Sequence, residues 1–303
     1  VLFESLSQFS TKLENVAARI FQGIKTSADK IYIVEKIEET ADKVKVFSKE
    51  KNVSFWMEKS LLHPLVKGGN SKRYNLTDTK RLLLFPYQKN KKDNGYHLIL
   101  DTEFEEKYPL IWKYLLDNKT YLENRERGRM KGKHWYAYIY PKNFNVMPLP
   151  KIFVPDIAPK SSFSLDKTGE YYFTGGAAGG YGILIAENYS REYVLGLLNS
   201  KLLEWYLQQF STSMRGGWYS YEARYIRKLP VRTINFDDPA ETAQHAEMVA
   251  LVERMLALHE QKPQSPREKE MLQRQIEMTD ATIDRLVYQL YGLTEEEIGI
   301  VEG

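Results

Sequence analysis

The feature that most constrains this fold is an apolar repeat near the C-terminal end of the chain. Leu272, Ile276, Thr279, Ile283, Leu286 and Leu290 recur at intervals of four, three, four, three and four residues. That spacing returns every member to one stripe of a helix and marks the a and d positions of a helix–helix seam. Met248, Val252 and Met255 repeat at four and three before it, and Pro263 and Pro266 break the pattern in between. Two amphipathic helices joined by so short a connection fold back on each other. Residues 237–303 are therefore expected to form an antiparallel helical hairpin, a spacer or docking tail. Thr294 and Glu297 would form the capping box of a last short turn.

Residues 21–236 carry the signals of a mixed α/β domain, and residues 1–20 read as a leading helix or linker with Leu2, Phe3, Leu6, Phe9, Leu13 and Val16 on its apolar side. Strands are expected at 31–34, 44–47, 81–87, 96–100, 151–154, 171–174, 183–186 and 225–231, with Asn94-Gly95 marking a hairpin. Ser190 can cap a helix running from Arg191 to about Phe210. The chain starts at Val1, and the expectation is a fragment of a longer polypeptide.

Within this domain the charge pattern bears on function. The 43 Lys and Arg residues nearly balance 40 Asp and Glu, leaving a net charge of +3, so any nucleic-acid affinity must come from local patches. One patch is an alternating row: Arg125, Arg127, Arg129, Lys131 and Lys133. In an extended strand all five would share a face and span roughly 26 Å, the reach of several successive phosphates. Gly128 and Gly132 argue against a helix there, and Trp135, Tyr136, Tyr138 and Tyr140 follow at once. The row suits either a phosphate contact or a solvated loop leading into a core strand. Three further glycine-bearing loops are basic: one with Lys25 and Thr26 after Gly23, one with Lys67, Asn70 and Arg73, and one with Arg215 and Trp218.

Catalytic motifs are scarce. Cysteine is absent, which excludes disulfide scaffolds, thiolate zinc sites and cysteine nucleophiles and is compatible with a reducing cytoplasm. No apolar run is long enough to cross a membrane. The Gly175–Gly180 run lacks the Lys and Ser/Thr of a phosphate loop and reads as a tight turn. The five histidines have no metal-binding spacing, so no metal site is expected. One metal-dependent nuclease alternative remains, with Asp93 or Asp101 followed by Glu105, Glu106 and Lys107. Acids at the start of a helix equally serve its dipole.

Taken in order, Gly23-Ile24-Lys25-Thr26, Leu65–Tyr74, Leu84-Phe85-Pro86-Tyr87, Leu122–Arg125, Trp135-Tyr136, Pro150–Pro155, Leu197–Ser200, Tyr225–Pro230 and Ile283–Leu293 form a recognisable series. It resembles the C-terminal target-recognition region of type IIG restriction–modification enzymes, which fuse an endonuclease, an adenine-N6 methyltransferase and a specificity domain. It is also similar to type I specificity subunits. The resemblance spans about residues 16–302, and Leu290–Ile298 is its most specific piece. It implies an α/β target-recognition domain followed by paired spacer helices, binding double-stranded DNA in a bacterial or archaeal cytoplasm. It also implies a methyltransferase domain, with or without a nuclease domain, upstream in the same polypeptide. The Asn-Pro-Pro-Tyr and methyl-donor motifs are missing here, so S-adenosylmethionine and Mg2+ would belong to the parent enzyme and this stretch would bind DNA without modifying it. The basic residues named above would then hold phosphates, with Arg127, Arg129, Lys131, Arg215 and Trp218 the candidates for base edges. A protein-interaction module whose hairpin docks another subunit is the alternative of a different class.

Overall fold

The largest sheet, of six strands, runs Tyr172–Phe173, Leu62–Val66, Arg81–Leu84, Ile33–Glu39, Lys43–Ser48, Val53–Glu58; a four-stranded sheet is the next in size. The pairs of the six-stranded sheet are antiparallel apart from the first, which is parallel. These coordinates come from a computed structural model, which describes residues 1–176 and 178–303. Alternation sets the faces: Val44, Val46 and Ser48 are buried while Lys43 is exposed and Lys45 and Phe47 are half-buried, the period of two a one-sided strand requires. The smaller sheet is antiparallel, in the order Ala17–Gln22, Gly180–Ile185, Lys151–Pro155, Ser164–Asp166. All five residues of Lys151–Pro155 are buried, as befits a strand covered on both faces.

Two cores follow from the two sheets. One gathers Ile31, Val46, Leu65, Leu83 and Phe85 of the larger-sheet region and Phe21 of the smaller sheet with Phe104, Ile111, Trp112 and Leu115 of the helices Asp101–Lys107 and Pro109–Asp117. The other lies between the smaller sheet, the helices Arg191–Asn199 and Lys201–Phe210, and the tail.

The tail forms the two helices expected, Pro239–Glu260 and Pro266–Tyr291, capped by Asp238 and Ser265 and closed by Gly292 in the left-handed conformation. Thr294 and Glu297 make the capping box of the final helix Glu295–Glu302. Met248, Val252, Met255, Thr279, Ile283, Leu286 and Leu290 are all buried. The hairpin does not stand off the body, because its apolar residues are part of the second core. At Gly196 a Cβ would lie 2.5 Å from the Met248 sulfur, which shows how closely the first tail helix approaches Arg191–Asn199. Polar anchors complete the junction. Arg232 pairs with Glu241 at 2.7 Å and Lys201 with Glu302 at 2.6 Å, while the Lys201 amide donates to Asp284 at 2.8 Å.

Several expected elements differ. Residues 1–20 form two short helices, Leu2–Ser7 and Leu13–Val16, and a strand already begins at Ala17. The helix expected across 191–210 is broken at Ser200 (ψ 151°), whose hydroxyl donates to the Leu197 carbonyl and accepts the Leu203 amide, capping the second helix. The strand expected at 225–231 is instead the helical turn Ala223–Ile226 with a single bridge between Pro230 and Lys12. Residues 29–32 are helical before the strand Ile33–Glu39 begins. The Asn94-Gly95 hairpin holds, pairing Tyr96–Leu98 with Tyr87–Lys89.

Candidate nucleic-acid interface

Four strands of the two sheets end at one place. Residues 174–180 carry the chain from the end of Tyr172–Phe173 into the start of Gly180–Ile185, and so from the larger sheet to the smaller. The loops that leave the C-terminal ends of three other strands meet this crossover through backbone bonds. Ile24 bridges Thr174 and accepts the Gly175 amide at 3.1 Å. The Gly68 amide donates to Ala178 at 3.0 Å, and the Asp156 amide to Gly179 at 3.2 Å. The approach demands glycine: a Cβ on Gly23 would sit 2.3 Å from the Thr174 carbonyl carbon, and one on Gly179 would sit 1.7 Å from its oxygen. Gly179 donates to the Gly176 carbonyl at 2.7 Å, as a tight turn should. That expectation also covered Ala177, which lies outside the described residues.

Each converging loop brings charge. Lys25 follows Gly23 and Ile24 and is exposed, while Lys67 leaves the end of Leu62–Val66 and is half-buried. Beyond Asp156 the short strand Ile157–Ala158 pairs with Trp218–Ser220, which pairs with Ser213–Met214. The tip of that hairpin, Arg215-Gly216-Gly217, is exposed, with φ of 85° and 76° at its two glycines. A cleft of about 990 Å³ opens between these loops and the tail, lined by Lys67, Lys72, Lys160 and Trp218 on one wall and Met255 and Ile276 on the other. Lys72 and Lys160 are exposed. Neither was singled out in the sequence, although Lys160 sits in a Pro159–Ser162 loop and Lys72 in the basic loop already noted.

The alternating row is not an extended strand. Arg125–Gly128 is a helical turn in which Glu126 and Arg127 are left-handed, with φ of 46° and 61°. Gly128 and Gly132 also have positive φ, so the row turns repeatedly and its side chains do not share a face. Arg125 points inward. Its guanidinium donates to the carbonyls of Leu122 (2.8 Å), Thr26 (3.1 Å), Trp135 (2.7 Å) and Ala137 (2.9 Å). It staples the segment to the Lys25–Thr26 loop. Arg127, Arg129, Lys131 and Lys133 are exposed. Glu126 accepts from the Tyr140 hydroxyl at 2.8 Å and pairs with Arg129 at 3.8 Å. Tyr140 in turn bridges Lys25, so the row adjoins the crossover.

The aromatics after the row are core residues and not a stacking platform. Trp135, Tyr136 and Tyr138 are buried and only Tyr140 reaches solvent. Their segment is a series of turns. Tyr136 and Tyr138 donate to the carbonyls of Ile99 and Leu84.

Three more of the expected contacts have structural partners. The buried Thr26 hydroxyl donates to Asp29 and accepts the Ala28 amide. The Asn70 side-chain oxygen accepts the Lys67 amide at 3.0 Å and the Arg81 guanidinium at 3.2 Å, holding the loop on which Lys67 sits. Arg73 lies between Asp280 (2.8 Å) and Asp284 (3.5 Å) of the second tail helix. Burial pushes the Asp284 carboxyl up to about 6, an effect that the Arg73 charge only partly offsets. By contrast, Lys25, Lys67, Lys72, Arg127, Lys131, Lys133, Lys160 and Arg215 have no salt-bridge partner among the described residues.

The residues of the nuclease alternative have partners of their own. Asp93 binds His97 at 2.6 Å in the hairpin turn, Glu105 accepts the Trp112 indole N–H, and Lys107 pairs with Glu103. No group of three His, Asp or Glu side chains able to hold a metal ion occurs among the described residues. None of their helices is long and apolar enough to cross a membrane.

Comparison with known proteins identifies the family and the fold. The model of the TaqI-like C-terminal specificity domain matches residues 63–231, more than half of the chain. The type II restriction enzyme and methyltransferase RM.Eco57I of Escherichia coli is 25% identical over 311 residues, covering 97% of this chain and 31% of that protein. The type II methyltransferase M.BanIII of Aneurinibacillus aneurinilyticus is 26% identical over 221 residues, 69% of this chain and 33% of its own length. The chain thus spans about a third of these relatives. Among solved structures, the type IIL restriction-modification enzyme MmeI, determined in complex with DNA, shares the fold. Its TM-score is 0.55 at 14% identity, covering 96% of this chain and 35% of that one.

Proposed function

This chain belongs to the TaqI-like C-terminal specificity domain family, and from that premise we propose that it binds double-stranded DNA in a sequence-specific manner for a larger restriction–modification enzyme. The parent would be an adenine-N6 methyltransferase of the type IIG kind, with or without an endonuclease. S-adenosylmethionine and Mg2+ would be held by its other domains. The observation that carries this reading is the convergence of strand ends on residues 174–180, with unpaired Lys25 and Lys67 on the loops that leave them. A salt-bridged surface lysine gains little from a phosphate, whereas an unpaired one releases counterions when it meets one.

The roles divide by availability. Lys25, Lys67, Lys131 and Lys133, joined by Lys72 and Lys160, contact phosphates. Arg127, Arg129, Arg215 and Trp218 are the base-facing candidates, with Arg paired to guanine as the most favourable bidentate match. Two consecutive left-handed non-glycine residues, each costing roughly 1–2 kcal/mol, hold Arg127 and Arg129 outward. Strain of this kind concentrates where a surface must be presented. Thr26, Asn70, Arg73 and Arg125 hold the loops in place.

The test is the salt dependence of duplex binding. Changing Lys25, Lys67, Lys131 and Lys133 together to alanine should reduce the slope of log affinity against log salt by about 3–4. The loss should be uniform across sequences, and each change should cost no more than about 0.5 kcal/mol of stability, because Lys25, Lys131 and Lys133 are exposed and Lys67 is half-buried. An unchanged slope would remove these lysines from the interface.

A further inference from the structure

The hairpin tip carries more apolar surface than a reader of base edges needs. Met214 and Trp218 are 39% and 42% exposed. They are directly paired across the hairpin, so their side chains project from the same face. Between them the turn is Arg215-Gly216-Gly217, and the indole lies against Gly216, whose Cβ position is 3.7 Å from Trp218 Cδ1. Past the tip, the two glycines add no side chain that would hold a partner away.

The base of the hairpin is fixed. Ile157–Ala158 pairs with Ser220 and Tyr219, the Ser220 amide donates to Thr212, and the Ser211 hydroxyl donates to the Ser220 carbonyl at 2.7 Å. A rigid stem with a narrow apolar edge is the form of a wedge. Its surroundings specify what it enters. Arg215 is at the tip, and Lys67, Lys72 and Lys160 line the adjoining cleft together with Trp218. An apolar partner protein would strand these cations against its surface, whereas a polyanion whose interior is a stack of aromatic rings satisfies both features.

We infer that the Met214–Trp218 edge inserts between two adjacent base pairs of the bound duplex and unstacks that step. The inference rests on the DNA-binding reading above and deepens it. Apolar side chains elsewhere open base steps in this way, and flexible pyrimidine–purine steps yield most easily. The domain therefore reads the deformability of one step in addition to the edges of others. Arg215, beside the wedge, contacts a phosphate or base flanking the opened step.

The full chain is first used to select duplexes from a randomised pool at low salt. 2-Aminopurine is then placed at each position of a selected duplex in turn. The wild-type chain should raise its fluorescence at one step, since unstacking removes the quenching. Trp218→Ala should abolish that rise and weaken binding about 10- to 100-fold, the range of one stacked base, while leaving the salt slope and the thermal midpoint unchanged. Trp218→Phe should retain part of both signals. If wild-type protein binds the selected duplex tightly with no fluorescence change at any position, the wedge is wrong while DNA binding stands. A pool in which nothing is enriched overturns both.

Discussion

Asp166→Ala is expected to cost the fold about 3–5 kcal/mol, the penalty for leaving a buried cation without its partner. Lys151 sits in the middle of the smaller sheet at 2.6 Å from Asp166, and each side chain is only 1% exposed. The ammonium also donates to the carbonyls of Met147 and, at longer range, Leu149. Asp166 accepts the amides of Gly169 at 2.9 Å and Tyr171 at 3.1 Å. One carboxylate thus organises the turn that leads toward Tyr172–Phe173 and the crossover. Burial pulls the Lys151 amine below its ordinary value, opposed by Asp166. Without the carboxylate, the lysine must lose its proton or draw in water. Urea unfolding should show the loss, and the double change Lys151→Met with Asp166→Asn should recover much of it, because no charge is then left buried. A drop under about 1 kcal/mol for Asp166→Ala, the scale of a surface pair, would contradict this account.

Arg125→Lys is expected to destabilise by roughly 3 kcal/mol although it keeps the charge. The guanidinium serves four carbonyls at once; hydrogen bonds to charged groups contribute about 1.5–3 kcal/mol each, net of exchange with water, and lysine would keep some of the four. Lysine is a point charge on a flexible stem and cannot reproduce the fork. Its loss would free Arg127–Lys133 from the Lys25–Thr26 loop, so DNA affinity should fall as well, as a consequence of the fold. Arg127→Ala and Arg129→Ala should behave oppositely, lowering affinity with an unchanged unfolding midpoint. If Arg125→Lys unfolds like wild type and loses only affinity, the guanidinium faces DNA after all.

Arg125 also shows where the sequence stops being legible. Alternation describes an extended chain, but positive φ at Glu126, Arg127, Gly128 and Gly132 removes the extension. The acceptors that draw Arg125 inward are backbone carbonyls, which no side-chain pattern displays. The setting of Arg73 is hidden from the sequence for a different reason. Its partners Asp280 and Asp284 lie more than 200 residues away in the sequence, and a basic loop residue looks the same whether it faces solvent or a tail helix. The tyrosines follow the same logic. Buried carbonyls need donors, and Tyr136, Tyr138 and Tyr32 supply phenol hydroxyls that Phe could not.

What was legible is what depends on local period or local turn chemistry. The four-three repeat of Leu272–Leu290 gave the tail helix and its buried stripe, and Ser190 and Thr294 gave caps that the structure contains. Asn94-Gly95 gave its hairpin. The glycine run at 175–180 was recognisable as a turn, but its use as the meeting point of both sheets depends on Gly23, Gly68 and Asp156, which the chain brings there from three separate strand ends.

The central claim is that this surface reads DNA sequence, and a specificity ratio tests it most directly. The affinity of the full chain for a duplex selected from a randomised pool should be compared with that for a scrambled duplex of equal length and composition, at one fixed salt concentration. The account predicts that the selected duplex binds at least about 10³-fold more tightly, with the preference reduced by Arg129→Ala or Arg215→Ala and preserved, at lower affinity, by Lys25→Ala. Equal affinity for both duplexes would contradict it.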